Sequence, residues 1–413
     1  MQDRDIFGYY QVGDLKTYSK LEAIEHSGQK NLPITWQFND EIFNKFDWSI
    51  EPPGSLDYWY GARAAQLRDK HDYLVLFYSG GADSHNVLMS FVNNNIFVDE
   101  IVQYVNLEGD QGNKQTFLNQ EVFETSAPFT QQLIQNNPVY HNTKHRIIDI
   151  SKIQSEVFGL AENRWDHLYQ HNRYFAPNHA ALSYVREYVT DYQDLADQGR
   201  NVCFVYGVEK PLITTDAQQK FYVNFEDGND QAYPRFQMLG RPWEFVEFFY
   251  WSPDLPELVA KQAHVIRRFM QTIHDGMVDN VHVYQGKLDT NQFGSNIGIH
   301  PYDSKCKTQR NNKTYHLLAA GLHKLIYPHW QADTIVSPKP LSLIFSPRDS
   351  WFFKNNAPDM GQNRFGSGIA WLKQQVCRHR PDLWWQFAFD PVHKILVGGI
   401  KSLRKTYALE KTS

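Results

Sequence analysis

Six consecutive residues, Ser79-Gly80-Gly81-Ala82-Asp83-Ser84, bring together the parts of a phosphate grip. Gly80 and Gly81 let the backbone turn tightly and approach an anion without Cβ atoms in the way. Ser79 and Ser84 offer two hydroxyl donors, and Asp83 offers a carboxylate of the kind Mg²⁺ takes. The apolar run Tyr73 to Tyr78 (YLVLFY) precedes the hexapeptide and reads as a buried strand. Ser84 to Val92 follows it, with Val87, Leu88 and Phe91 at helical spacing. A loop between such a strand and helix sits at a helix N-terminus, where backbone N–H groups and the helix dipole attract anions. It is not a Walker A loop, since no lysine lies inside it. The plain alternative is a strand-to-helix turn capped by Ser or Asp.

The surrounding pattern says what positions this loop. Ile101 to Val105 (IVQYV), Arg146 to Ile150 (RIIDI) and Val202 to Tyr206 (VCFVY) read as three further strands. Gln115 to Asn136 and Asn178 to Gln198 read as helices between them. Alternation at this spacing predicts βαβ units: an α/β fold with a parallel sheet and helices on both faces. Open parallel sheets bind ligands beyond the carboxyl ends of their strands, which is where the glycine loop falls.

The first ~60 residues end in the breaker Pro52-Pro53-Gly54 and read as an extension, lid-like or otherwise. After about residue 211 the rhythm changes. A strand at Phe221 to Phe225 precedes the turn signal Asp227-Gly228-Asn229, and helices are expected at Leu255 to Ile273 and Tyr315 to Ile326. The expected organisation is an N-terminal extension (1–60), an α/β domain (61–229) and a mainly helical substrate or acceptor domain (230–413).

Composition narrows the field. The chain has 413 residues, 42% hydrophobic and 21% charged, as in ordinary soluble globular proteins. Its formal charge of -5 disfavours a protein held on nucleic acid mainly by phosphate neutralisation. Cys203, Cys306 and Cys377 lie far apart and form neither a disulfide framework nor a zinc ribbon, which suits a reducing cytosol. No run approaches the ~20 apolar residues of a spanning helix, and the charged start (Asp3, Arg4, Asp5) lacks the apolar core of a signal peptide. The expectation is a cytoplasmic protein without a membrane partner.

The loop SGGADS matches the Ser-Gly-Gly-x-Asp-Ser signature, in its required setting between strand and helix, so the chain resembles the PP-loop ATP pyrophosphatases of the N-type. The resemblance is firm for the loop and extends over about residues 60–215. It implies a Rossmann-like, doubly wound sheet of the adenine nucleotide alpha hydrolase kind, with ATP and Mg²⁺ as ligands. Ser79 to Ser84 would grip the departing pyrophosphate, and Asp83 would hold Mg²⁺. Adenine would lie on backbone at the end of the second strand, at Tyr104, Val105 and Asn106. A carboxyl or carbonyl substrate would be adenylated, and an amine, ammonia or sulfur nucleophile would then displace AMP.

Absences choose a branch. Gln2 stands where a glutamine-dependent asparagine synthetase carries its nucleophilic cysteine, and no glutaminase is present. The Cys-x-x-Cys pairs of sulfur-transferring branches are missing, and Cys377-Arg378-His379 echoes only part of the tail of adenylyl-sulfate reductases. What is left is an asparagine-synthetase-like, AMP-forming ligase with a small-molecule acceptor and an amine or ammonia donor. Two rivals are a PP-loop enzyme that modifies nucleotides or nucleic acid, by thiolation or reduction, and a non-catalytic adenine-nucleotide-binding module.

Other candidates are weaker. Glu209 and Lys210 follow the fourth strand, and could ligate Mg²⁺ or orient a nucleophile (Glu209) and neutralise phosphate charge (Lys210); the bland reading is a solvated loop. Arg173, in His171-Asn172-Arg173, could meet a phosphate or a substrate carboxylate. Lys305 and Lys307 belong to a basic cluster that could form a flap, or simply be solvated. Gly366-Ser367-Gly368 reads as a turn, and His316, His323 and His329 lack the spacing of a zinc helix. The basic tail Lys401 to Lys405 reads as helix-end charge facing water, with contact to nucleic acid or polyphosphate the alternative.

Overall fold

The computed structural model describes residues 3–107, 119, 121–153, 189, 191–207, 212–215, 220–227, 244–276, 293–294, 298–299, 327, 366–386 and 398–411. The N-terminal strands β1 (Tyr9–Val12), β2 (Leu15–Thr17) and β3 (Thr35–Gln37) form an antiparallel sheet in the order β2-β1-β3, with helix α1 (Lys20–Lys30) between β2 and β3. Ser19 caps α1 by accepting from the Glu22 N–H, and Asn31 closes it in the left-handed conformation. A short helix, α2 (Asp40–Phe43), leads on to α3 (Leu56–Lys70), which starts just after the Pro-Pro-Gly breaker and is capped by Ser55.

Five strands make the central sheet, all parallel. They are β4 (Tyr73–Phe77), β5 (Glu100–Val105), β6 (Lys144–Asp149), β7 (Val202–Tyr206) and, past β8 (Leu212–Thr215) and β9 (Phe221–Glu226), β10 (Glu244–Phe248). Their order across the sheet is β10-β7-β4-β5-β6. All five residues of β7 are buried, as are Leu74, Val75 and Leu76 of β4, which explains why both read as unbroken apolar runs rather than alternating ones. The chain winds outward from β4 to β6, then returns to lay β7 and β10 on the other side. The order therefore reverses between β4 and β7, which leaves a crevice beyond their carboxyl ends.

Helix α4 (Ala82–Val92) follows β4 directly and buries Val87, Leu88 and Phe91, the residues its spacing picked out. Past α5 (Ala127–Asn136) and α6 (Asp191–Asp197), the long helix α7 (Pro256–Gly276) packs on α3 and buries Leu258, Val259 and Ala263. The predicted helix Gln115 to Asn136 is described from Glu121 as one π-helical turn, Glu121–Ser126, running into α5. Of the predicted helix Asn178 to Gln198, only the end at α6 lies within the described residues; the predicted helix Tyr315 to Ile326 lies outside them.

Past residue 230 the described residues hold β10, α7, α8 (Gly366–His379) and the short pairs β11 (Phe293–Gly294) with β12 (Gly298–Ile299) and β13 (Trp384–Gln386) with β14 (Gly398–Ile400). The expected division at 229/230 does not mark an edge of the sheet, because β10 pairs with β7 along its whole length. The glycines of Gly366-Ser367-Gly368 open α8 instead of forming an isolated turn. The basic tail is strand rather than helix end: β15 (Arg404–Ala408) pairs antiparallel with β9 in a sheet of order β15-β9-β8. Its charges are matched, Arg404 with Glu226 at 2.5 Å and Lys405 with Asp40 at 2.6 Å.

The N-terminal segment shares the main core. Phe43 stacks on Phe225 at 5.0 Å, Phe38 meets Trp251 edge-on at 5.1 Å, and Trp48 stacks on Tyr407. A buried ion pair pins this corner: Lys20 Nζ lies 2.6 Å from Asp227, which also accepts from the Tyr10 hydroxyl and the Leu403 N–H.

Candidate functional site

The hexapeptide lies where β4, the middle strand, gives way to α4. Gly80 has φ of +87°, a left-handed conformation that a side chain would strain. Gly81 is the N-cap of α4, so the residue at the cap brings no side-chain acceptor of its own. The Ser79 and Ser84 hydroxyls lie 3.0 Å apart, and Ser84 Oγ also accepts from the Ser79 N–H at 3.2 Å. Ser79 is exposed, Gly81 and Asp83 are half-buried, and Ser84 is buried. The two hydroxyls thus face one another across the turn.

The exit of β7 closes in from the neighbouring strand. A Cβ on Gly207 would come within 2.9 Å of Val87 Cγ2 and 3.3 Å of Ser84 Cα, so only glycine permits this approach. The chain beyond Gly207 therefore leaves β7 from a point against the first turn of α4. Glu209 and Lys210 lie outside the described residues, as do Arg173, Lys305 and Lys307.

Asp83 turns toward a cluster of tyrosines. Its Oδ1 accepts from the Tyr327 hydroxyl, and its backbone carbonyl accepts from Tyr250 at 2.7 Å. Tyr60, Tyr250 and Tyr327 are all buried. Burial first, and the Asp83 charge second, push all three phenols well above their ordinary range, so they stay protonated and serve as donors. Among the described residues no three His, Cys, Asp or Glu side chains converge to hold a metal. A single carboxylate suits Mg²⁺ when phosphate oxygens and water complete the shell, which is how that ion usually binds nucleotides.

The π-helical turn lies on the other side of the loop. A Cβ at Gly80 would meet Ser126 Cβ at 3.1 Å and Glu121 Cγ at 3.3 Å, and one at Gly81 would lie 3.6 Å from Glu121 Oε1. Burial, then the Glu121 charge, raises the Tyr78 phenol, whose oxygen lies 3.0 Å from His85 Nδ1. Ser126 Oγ is buried and has no hydrogen-bond partner among the described residues.

At the end of β5, Tyr104 stacks on Phe77 at 5.3 Å, while Val105 and Asn106 are buried. The two polar backbone groups of Asn106 are both engaged by one side chain. Its N–H donates to Asn119 Oδ1 at 2.8 Å, and its carbonyl accepts from Asn119 Nδ2 at 2.7 Å. The carbonyl of Val105 accepts from the Ile150 N–H at 2.9 Å.

Sequence reasoning singled out the loop but missed Glu121, Ser126, Asn119, Tyr250 and Tyr327. Glu121 and Ser126 fall inside a segment that reads as an ordinary helix, and the tyrosines come from 167 and 244 residues further along the chain. No local pattern marks such partners. Cys377 lies half-buried on α8, which packs against α1, β13 and β14. A groove of about 620 Å³ lined by Phe46, Asp47, Pro53, Tyr58, Trp59 and Glu257 contains none of the loop residues. No family model matches the chain, and no curated protein matches its sequence.

Proposed function

We propose that the chain is an ATP pyrophosphatase of the PP-loop class, which cleaves ATP between its α- and β-phosphates to activate a carboxyl or carbonyl substrate. One observation carries this reading: the Ser-Gly-Gly-Ala-Asp-Ser loop stands at the carboxyl end of the middle strand of a parallel sheet, where the strand order reverses. Glycines at 80 and 207 let the neighbouring chain pack closely on this loop, and the hydroxyls of Ser79 and Ser84 already converge.

In this reading the substrate oxygen attacks the α-phosphorus. The bond from that phosphorus to the bridging oxygen breaks, and pyrophosphate departs with the electron pair. Mg²⁺ would neutralise phosphate charge, with Asp83 as its protein ligand. The N-terminal turn of α4 and the hydroxyls of Ser79 and Ser84 stabilise the departing diphosphate. The tyrosines behind Asp83 keep that end of the loop fixed, so catalysis rests on positioning and charge rather than on a covalent protein intermediate. An amine or ammonia then displaces AMP from the activated substrate.

The test is a pyrophosphate-release screen with ATP, Mg²⁺ and pools of carboxylic acids, amines and nucleic acids, comparing the wild type with Ser84→Ala. Release that depends on one acceptor and falls about a hundredfold in a folded Ser84→Ala supports the reading. Unchanged turnover in that variant removes it.

A further inference from the structure

We infer that the segment holding Asn119 and Glu121–Ser126 covers both ends of the nucleotide site, and that a nucleotide binds by displacing it. The inference rests on the nucleotide reading above and adds the regulation of that site.

At one end lies the exit of β5. A ligand whose phosphates lie at the loop after β4 extends along the carboxyl edge of the sheet, past the neighbouring strand β5. There Asn106 presents an N–H beside a C=O, and the Asn119 carboxamide meets both, acceptor to donor and donor to acceptor. The Watson–Crick edge of adenine carries the same pair, a ring nitrogen that accepts beside an amino group that donates. Asn119 thus holds the hydrogen bonds that a purine would make. Both asparagines are buried, so taking Asn119 away without a replacement would cost the hydrogen bonds it makes to the Asn106 N–H and carbonyl. An adenine edge is a replacement that restores both.

At the other end lies the glycine loop, where the Glu121 side chain packs over Gly80 and reaches toward Gly81. A carboxylate at a helix N-terminus supplies the negative charge that a diphosphate would bring. The two stand-ins are two residues apart in sequence, one of amide and one of acid chemistry, matching the base and phosphate ends of one ligand. The turn that carries Glu121 is π-helical, a rare geometry that is frequent at functional sites. Its last residue, Ser126, packs against Gly80 and holds a buried hydroxyl without a partner among the described residues, a group this arrangement leaves over.

Calorimetry on the full chain tests this with three probes: adenosine, inorganic pyrophosphate, and ATP with Mg²⁺. Asn119→Ala is expected to tighten adenosine and ATP on the order of tenfold and to leave pyrophosphate unchanged. Glu121→Gln is expected to tighten pyrophosphate and ATP by a similar factor and to leave adenosine unchanged. In the wild type, ATP should speed amide hydrogen exchange across residues 121–126, a readout that decides even where Asn119→Ala folds poorly. Affinities that fall or stay level in both variants, or exchange that slows with ATP, would overturn the gating while nucleotide binding stands. If the wild type and both variants bind none of the three probes, the nucleotide reading itself fails, and this inference goes with it.

Discussion

The two edges of the central sheet are built from different materials. At the amino edge Asp99, Asn201, Asp72 and Glu100 are matched to partners. Asp99 accepts from Arg68 at 2.6 Å and from the Leu74 N–H at 2.8 Å, while Asn201 and Asp72 bond each other's backbone N–H groups at 2.9 Å. Glu100, fully buried, takes Arg146 at 2.5 Å and the hydroxyls of Tyr73 and Tyr192. At the carboxyl edge the chain places glycines, a left-handed residue and small polar side chains within one bend, and against it Ser126, whose hydroxyl has no partner among the described residues. The first edge lowers the energy of the fold, and the second sets out polar groups at some cost to it. That contrast is the reason the proposed function is placed at the second edge, for which stability alone gives no reason.

The largest expected effect tests the amino edge. Glu100→Ala removes the acceptor of one guanidinium and two phenols in a buried setting, and should cost about 3–5 kcal/mol in urea unfolding. Nucleotide affinity of the folded fraction should hold. A loss below about 1 kcal/mol would mean the edge is not the clamp described here.

Next comes the carboxyl edge. Ser84→Ala takes one hydroxyl from the loop and should lower pyrophosphate release about a hundredfold, as removal of a single donor to a developing charge does elsewhere. Its stability should change by only about 1 kcal/mol. Equal losses of stability and activity would erase the distinction between the edges.

Acid should act through the structural side. Burial alone would raise the Glu247 carboxyl, but Arg63, then His71 and Lys70, outweigh it and hold the group well below the usual carboxylate range. Its folded pKa is thus lower than its unfolded value of about 4.3. The stability it contributes is fully present above that value and drains away as pH falls through the folded pKa. The urea midpoint of the wild type should drop on going from about pH 5 to pH 3, and the drop should shrink in Glu247→Gln.

How far the sequence disclosed this arrangement depended on the range of the contacts. The strand Tyr73–Phe77 and the loop after it were legible because apolar runs and glycine punctuation are local signals, and α4 buries the residues its spacing marked. The strand at Glu244–Phe248 was missed: its glutamates stand three residues apart, which follows no strand period, and Glu247 is buried because Arg63 meets it from α3. The tail was misread for a similar reason. Lys401 to Lys405 looks like solvated charge until β9 supplies Glu226, and α2 supplies Asp40. Within the site, Glu121 and Tyr327 reach the loop only through tertiary packing, which no spacing rule encodes.

The smallest effect sharpens the comparison most, because it asks to which edge Asp83 belongs. Its carboxylate sits in the loop, yet Tyr327, a residue of the buried aromatic cluster, donates to Oδ1. Tyr327→Phe keeps the ring in place and deletes that one hydrogen bond, at a cost of about 1 kcal/mol in stability. If Asp83 serves Mg²⁺, the deleted donor was competing with the metal for the same oxygen. The Mg²⁺ concentration for half-maximal pyrophosphate release should then fall, by about fivefold for a bond of that strength. If Asp83 is instead a structural acceptor held by its tyrosines, the variant should lose stability and keep its Mg²⁺ dependence, and the carboxylate would pass from the functional edge to the structural one.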